Sequence, residues 1–158
     1  MELTFRFAQK ADAPLILHFI RQLAEYEKML DLVAADEATL MDQLFDQKNA
    51  EVVFAVEDGV EVGFALFFHN FSTFLGRSGL YLEDLFVLPE HRGKGCGKAI
   101  LKKLASIALE RGCGRMEWSC LDWNKPSIDF YLSLEAEPME EWTVYRLAGE
   151  TLRARAEC

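Results

Sequence analysis

The strongest chemical signal in this sequence is a turn at residues 92–98 that alternates glycines with basic side chains. A predicted strand precedes it and a predicted helix follows it, so helix N–H groups and the positive end of the helix dipole would meet there. Glycines leave the backbone accessible to an anion, and the basic residues add positive charge. The turn is therefore a candidate phosphate site; the alternative is an ordinary connection with solvated side chains. The candidate residues are Arg92, Gly93, Lys94, Gly95, Cys96, Gly97 and Lys98.

Two common phosphate-binding motifs do not fit this turn. A Walker loop requires glycine where Arg92 stands and serine or threonine where Ala99 stands. A dinucleotide fingerprint that begins at Gly93 requires a third glycine where Lys98 stands. No parallel β-α-β pattern opens the chain either. Both of these nucleotide sites are therefore excluded.

Two adjacent acids, Glu83 and Asp84, lie in the strand that precedes the turn. A carboxylate near an alkyl amine can accept its proton, directly or through a water. Such an amine has a pKa near 10.4, so its deprotonation at pH 7 costs about 4.6 kcal/mol. In a regular strand only one of the two acids reaches a given site, and Glu83 is predicted to share its face with Tyr81, Leu85 and Val87. The alternative is that both acids pair with Arg or Lys at a strand edge.

Hydrophobic periodicity supplies the elements that would position these residues. We predict a mixed α/β (α+β) fold with a mostly antiparallel central sheet flanked by helices, in the order β-α-α-β-β-β-α-β-α-β. One β-α-β crossover joins strands four and five. The Asp58-Gly59 pair predicts a tight hairpin turn. The predicted strands are Leu3–Phe7, Glu51–Glu57, Val60–His69, Leu80–Leu88, Met116–Leu121 and Trp142–Leu147. The predicted helices are one capped by Asp12, one capped by Asp36, then Lys98–Arg111, Asn124–Leu134 and a short one at Glu150–Arg155.

Length and composition limit the classes of function. The chain has 158 residues and a net charge of −9, which predicts one domain over residues 1–158 and disfavours nucleic acid and anionic membranes as partners. No apolar stretch approaches the length of a membrane span, and the sequence opens without a signal-like segment. No metal-ligand spacing joins the histidines His18, His69 and His91 to the cysteines. The cysteines predict reduced thiols in the cytoplasm: Cys96, Cys113, Cys120 and Cys158.

An Arg-x-x-Gly-x-Gly turn after a strand ending Leu-Phe-Val-Leu-Pro resembles the GNAT acetyltransferase superfamily, whose loop of this pattern holds the pyrophosphate of acetyl-CoA. The segments 81–85 and 124–131, together with Tyr26-Glu27 and Trp142, resemble its branch of diamine (spermidine/spermine) and thialysine acetyltransferases. The resemblance implies direct transfer of acetyl from acetyl-CoA to a primary amine of a small cationic substrate: a polyamine, a diamine or a lysine-like amino acid.

The same resemblance assigns roles within the site. It implies that Glu83 is the base, and that strand four is bulged and splayed from strand five. Backbone amides near Leu85, Phe86 and Val87 would then bind coenzyme A. Tyr131 would donate a proton to the departing thiolate, and the start of its helix would contact the cofactor through Asn124 and Ser127. One departure stands at Glu135, where the family usually has glycine.

Acidic and aromatic residues are candidates for holding the amine. They are Tyr26, Glu27, Glu83, Asp84 and Trp142, with the Glu140-Glu141 pair as a further possibility. The ordinary alternatives are a helix end for Tyr26-Glu27 and a solvated turn for Glu140-Glu141. We interpret Cys96 as a small filler of the turn and assign no catalytic cysteine.

Other functions stay open at this point. The chain could be a non-catalytic module that senses acyl-CoA, or an acetyltransferase of protein lysines or N-termini. The resemblance also implies a homodimer, to which the apolar segment Trp142–Leu147 would contribute.

Overall fold

The computed structural model describes residues 2–157, which form two compact units that divide between Ser119 and Cys120. The single domain expected over residues 1–158 stays a prediction. Met1 and Cys158, the second of which was counted among the predicted reduced thiols, lie outside the described residues. No helix in the described part of the chain is long and apolar enough to cross a membrane.

In its described residues the first unit contains a five-stranded sheet, three α-helices, a π-helix and three short 3₁₀ helices. Its strands lie side by side in chain order, the first four antiparallel and the last one parallel to its neighbour. This confirms the predicted mostly antiparallel sheet and the crossover between strands four and five. The strands are β1 Leu3–Phe7, β2 Glu51–Glu57, β3 Val60–Ser72, β4 Arg77–Val87 and β5 Met116–Trp118. The helices are α1 Ala13–Tyr26, α2 Glu37–Leu40, which continues as a π-helix over Met41–Asp46, and α3 Cys96–Glu110.

One hydrophobic core lies between the sheet and α1. Phe54 of β2, Phe64 of β3 and Phe19 of α1 are buried together, and the rings of Phe19 and Phe64 stack with their centroids 5.1 Å apart. On β3, Gly63 lies next to α3, because a Cβ at this glycine would come within 3.1 Å of Ile100. Helices α1 and α3 are thus held against the sheet at the level where β4 ends.

Turns and caps follow the sequence at most positions. Asp58 and Gly59 both have positive φ, 52° and 79°, as the predicted hairpin turn requires. The side chain of Asp36 accepts a hydrogen bond from the Thr39 amide at 2.7 Å, which confirms that cap. Asp12 differs, because its carboxylate accepts from the Gln9 amide and from the Arg6 guanidinium instead of capping α1.

In its described residues the second unit holds two helices, α4 Lys125–Ser133 and α5 Gly149–Ala156. Among the described residues no strand forms over Trp142–Leu147, so that prediction is wrong for the described chain. The alternation of apolar side chains is present, but a strand also needs a neighbour for its backbone hydrogen bonds. Trp142 and Tyr145 are 75% and 91% exposed.

Candidate active site

A bulge in β4 places the acidic pair. Asp84 pairs with Leu66 and Leu82 pairs with Phe67, so Glu83 is an extra residue on β4. The bulge implied by the family resemblance is confirmed. Glu83 is exposed, and Asp84 is partly buried.

The bulge corrects the predicted arrangement of faces on β4. Tyr81 pairs with Phe68 and Leu85 pairs with Ala65, three residues apart on β3, so Tyr81 and Leu85 lie on opposite faces of the sheet. The prediction that Glu83 shares one face with Tyr81, Leu85 and Val87 is therefore wrong. Asp84 instead shares a face with Phe86, which belongs to the core against α1.

The second half of β4 has an open edge. Pairing with β5 covers only Leu80–Leu82, so among the described residues the segment after Leu82 pairs with β3 alone. The described β5 ends at Trp118, opposite Leu82, and the splay from strand five stays a prediction. The Leu88 amide donates to Val62 of β3 at 2.9 Å, and alternation then directs the amides of Leu85 and Val87 to the open edge and that of Phe86 to β3. Leu85 and Val87 therefore offer better backbone donors than Phe86.

Three carboxylates come close together beside this bulge. The pKa of Asp84 is raised to about 6, mainly by burial and then by the negative charges of Glu83 and Glu27. Burial also raises the pKa of Glu27, which follows the last residue of α1. Carboxylates crowded in this way attract a cation, because a nearby positive charge relieves both the repulsion and the desolvation.

An aromatic contact links the end of α1 to β4. The rings of Tyr26 and Phe86 meet edge to face with their centroids 6.5 Å apart. The Arg92 guanidinium lies over both rings, 5.1 Å from the Tyr26 centroid and 4.9 Å from the Phe86 centroid. Its Nε donates to the Val87 carbonyl oxygen at 2.9 Å. The structure thus brings Tyr26, Phe86, Val87 and Arg92 into one group.

The glycine-rich turn is open to solvent. Gly93 and Gly95 have φ of 79° and 82°, a backbone conformation that favours glycine, and Gly95 caps the start of α3. A Cβ built at Gly93, Gly95 or Gly97 would meet open space. Lys94 and Lys98 are exposed. Accessible backbone, a helix N-terminus and positive side chains fit the diphosphate of acetyl-CoA.

Cys96 behaves as the filler that the sequence suggested. Its side chain is buried, and burial followed by the charge of Glu57 raises the pKa of its thiol, the opposite of an activated nucleophile. Sequence reasoning missed Glu57, which lines a cavity of about 250 Å³ with Leu3, Lys94 and Cys96. An isolated acid at the end of a strand gives no signal for this position.

The remaining candidates belong to the second unit. The Asn124 side chain accepts from the Ser127 amide at 3.4 Å, which confirms the predicted cap of α4. Tyr131 is partly buried on this helix, with its ring 5.7 Å from that of Phe130. Trp142 follows a turn that contains Glu140 and Glu141, in an exposed irregular segment.

The end of α4 explains the departure at Glu135. This residue has φ of 65°, the left-handed conformation in which the family usually places glycine. The Glu135 amide donates to Leu132 at 3.0 Å and the Ala136 amide donates to Tyr131 at 3.1 Å, both at backbone carbonyl oxygens. This is the Schellman pattern of a helix end. The substitution therefore leaves the helix end intact.

Comparison with known proteins identifies the fold and its chemistry. Residues 18–135 match the profile of the acetyltransferase (GNAT) family. The chain belongs to this family. It is an acetyl-CoA-dependent N-acetyltransferase. The relatives that match most of the chain are named N-acetyltransferases. In the described residues no group of three His, Cys, Asp or Glu side chains could hold a metal ion.

Several relatives resemble this GNAT protein over nearly its whole length. A thialysine N-epsilon-acetyltransferase of Bos taurus is 39% identical over 96% of this chain and 95% of its own. The L-ornithine N5-acetyltransferase NATA1 of Arabidopsis thaliana is 31% identical over 94% of this chain and 86% of its own. Among solved structures, an integron cassette protein from the mobile metagenome of V. cholerae has a TM-score of 0.83 and 30% identity, covering 100% of this chain and 99% of the other.

Proposed function

We propose that this GNAT enzyme acetylates the terminal primary amine of a small diamino substrate, foremost thialysine, lysine or ornithine, with polyamines in the same chemical class. The observation that carries this proposal is that the β4 bulge holds Glu83 and Asp84 near the end of α1, where the ring of Tyr26 contacts Phe86 and Glu27 follows. The charges of Glu27 and Glu83 both act on Asp84. The relatives named for thialysine and ornithine support the same class. The net charge of −9 also favours a cationic substrate.

The three acids have different roles toward the amine, since two bind a cation and one accepts a proton. Asp84 and Glu27 hold an ammonium group, because a bound cation offsets the burial that raises the pKa of both carboxyls. Glu83 is the proton acceptor, directly or through a water, since the bulge leaves its side chain exposed next to the open edge of β4. The rings of Tyr26 and Trp142 are candidates for packing on the methylene groups of the substrate.

The cofactor side uses backbone groups and one phenol. Acetyl-CoA supplies a thioester whose acetyl group the amine accepts. The turn at 92–98 binds the diphosphate, and the amides of Leu85 and Val87 donate hydrogen bonds from the open edge of β4. Asn124 and Ser127 form the start of α4, and Tyr131 on that helix protonates the leaving thiolate. Tyrosine suits this role because its phenol keeps its proton at neutral pH.

A homodimer is part of this proposal. The segment Trp142–Leu147 is rich in apolar side chains and exposes Val144 and Tyr145 at 83% and 91%. Burying such side chains against a second copy of the chain would remove a large apolar area from water. Light scattering of the purified protein, compared with its Tyr145→Asp variant, tests the dimer. The cytoplasmic location and the absence of nucleic-acid partners stay predictions.

A thiol-release assay tests the proposed substrate. Purified enzyme with acetyl-CoA is given thialysine, lysine, ornithine, spermidine and a lysine-containing peptide, and free thiol is measured. We expect turnover with at least one small diamine and a higher KM for that amine in Asp84→Asn. Turnover with the peptide alone would indicate a protein acetyltransferase. Binding of acetyl-CoA with no thiol release from any amine would indicate an acyl-CoA sensor.

A further inference from the structure

The position of the Arg92 side chain does not match that of a free cation for phosphate. Its guanidinium lies over the Tyr26 and Phe86 rings, and its Nε donates to the Val87 carbonyl. These contacts turn the side chain toward α1 and the face of β4 that carries Asp84. Arg92 is exposed, as Lys94 and Lys98 are, but among the described cation–π pairs it alone of the three contacts the Tyr26 and Phe86 rings.

The end of α1 that Arg92 contacts is held by its own backbone as well. Lys28 has φ of 61°, and its amide donates to the Glu25 carbonyl at 3.1 Å. The Met29 amide donates to the Ala24 carbonyl at 2.7 Å, which completes a Schellman pattern. This pattern fixes where the helix stops, and the ring contacts with Arg92 fix where that stop lies relative to β4.

Tyr26 contacts both Arg92 and Phe86 at the end of α1. The Tyr26 side chain is 39% exposed, and its ring meets Phe86 only edge to face. The flat guanidinium covers both rings from one side, which a compact ammonium group does not do as well. Glu27 is the next residue along the chain, and its charge acts on Asp84. A shift of the Tyr26 ring would therefore also move the carboxylate of Glu27 relative to Asp84.

We propose that Arg92 is a positioning residue for the amine substrate. By packing on Tyr26 of α1 and Phe86 of β4, it keeps the end of α1 against β4 and so holds Glu27 near Asp84. This inference rests on the proposed amine site at Glu27, Glu83 and Asp84. It assigns the loop charge that serves the diphosphate to Lys94 and Lys98, and it makes Arg92 the link between the cofactor turn and the amine site.

Arg92→Lys distinguishes a charge that serves the diphosphate from packing that positions the amine site. Lysine keeps the charge and loses the contact of the flat guanidinium with the two rings. We expect the KM for thialysine to rise about fivefold, the loss of roughly one cation–π contact. The KM for acetyl-CoA should stay near its original value. Tyr26→Leu should raise the KM for thialysine in the same way, and the double variant should be no worse than the stronger single variant.

Lys98→Gln is the matched control, because it removes a charge of the same turn that has no contact with the Tyr26 ring among the described cation–π pairs. We expect it to raise the KM for acetyl-CoA and to leave the KM for thialysine unchanged. Calorimetric titration of each variant with acetyl-CoA checks that its turn is folded. The opposite pattern, in which Arg92→Lys keeps the KM for thialysine or raises the KM for acetyl-CoA as Lys98→Gln does, overturns the proposal.

Asp84→Asn distinguishes failure of this inference from failure of the proposed function. If Asp84→Asn raises the KM for thialysine and Arg92→Lys does not, the amine site stands and Arg92 has no part in it. If neither variant changes that KM, the amine lies elsewhere and both proposals are wrong.

Discussion

The two halves of β4 have the same partner on one side and differ on the other. The first half, from Arg77 to Leu82, pairs with β3 and ends in parallel pairing with β5 at Leu80–Leu82. The second half, from Glu83 to Val87, pairs with β3 alone among the described residues. One strand therefore lies inside the sheet at the end of its first half and at an unpaired edge along its second half. The change occurs at a single extra residue, Glu83.

This difference shows how little sequence is needed to open a site in a sheet. A bulge shifts the alternation of side chains by one place and increases the local twist. Before it, Leu80 and Leu82 are almost fully buried. After it, Asp84 shares a face with Phe86, and burial raises its pKa. Under the proposed function, the first half supplies stability and the second half supplies the chemistry.

The largest expected effect comes from removing the carboxylate at the bulge. Glu83→Gln should lower kcat by roughly 10²–10⁴, the usual contribution of a general base, with little change in acetyl-CoA binding. Glu117→Gln makes the same change on β5, opposite Tyr81 in the fully paired half, and should leave kcat unchanged. Steady-state thiol release measures both. Equal rates for wild type and Glu83→Gln at every pH would remove Glu83 from the mechanism.

The first half of β4 should respond in stability instead. Leu80 is fully buried, so Leu80→Ala should lower the free energy of unfolding by about 3 kcal/mol through lost burial and a cavity. The KM values of the folded enzyme should not change. Urea denaturation measures the first quantity and kinetics below the transition the second. A large change in the KM for the amine would contradict the separation of the two halves.

Asp84 predicts a pH dependence that belongs to the second half alone. Its pKa is raised to about 6, so below that pH the carboxyl becomes neutral and holds a cation poorly. We expect kcat/KM for the amine to fall up to about tenfold per pH unit below this value. At saturating amine kcat should lack this limb, because the bound ammonium keeps Asp84 ionised. A limb of equal size in kcat would make Asp84 the base instead of Glu83.

The smallest expected effect lies outside β4 and gives a scale for a purely local backbone change. Glu135→Gly places the residue that prefers a positive φ at the end of α4 and should stabilise the protein by about 1 kcal/mol. The melting temperature should rise by about 3 °C for a chain of this size. Gly59→Ala is the reverse change at a positive φ and should lower it. No rise in Glu135→Gly would mean that the Glu135 side chain makes a compensating contact.

Local patterns predicted most of the fold. Hydrophobicity with a period of two placed the strands, and hydrophobicity with a period of 3.6 placed the helices. The Asp58-Gly59 turn and the Asp36 and Asn124 caps each depend on contacts within a few residues. The error at Trp142–Leu147 has a physical cause, since alternation reports on a side chain's surroundings and not on whether a neighbouring strand exists. The π-helix at Met41–Asp46 was not predicted either, because the apolar side chains of this segment follow the spacing of an ordinary helix.

The sequence predicted which kinds of residue form the candidate site better than it predicted how they are arranged. The glycine-rich turn and the acidic pair were found from residue types, and the bulge came from family resemblance. Regular alternation placed Leu85 on the same face as Tyr81, because nothing in the strand's own sequence announces an inserted residue. The contact of Arg92 with Tyr26 joins residues far apart in the chain, and only the folded protein reveals it.

The raised pKa of Asp84 has a consequence for the energetics of substrate capture. Near pH 6 about half of the free enzyme molecules carry a proton on this carboxyl. An arriving ammonium group displaces that proton into the solvent, so binding and proton release are linked. The heat of thialysine binding at pH 6 should then depend on the ionisation enthalpy of the buffer, and at pH 8 this dependence should vanish.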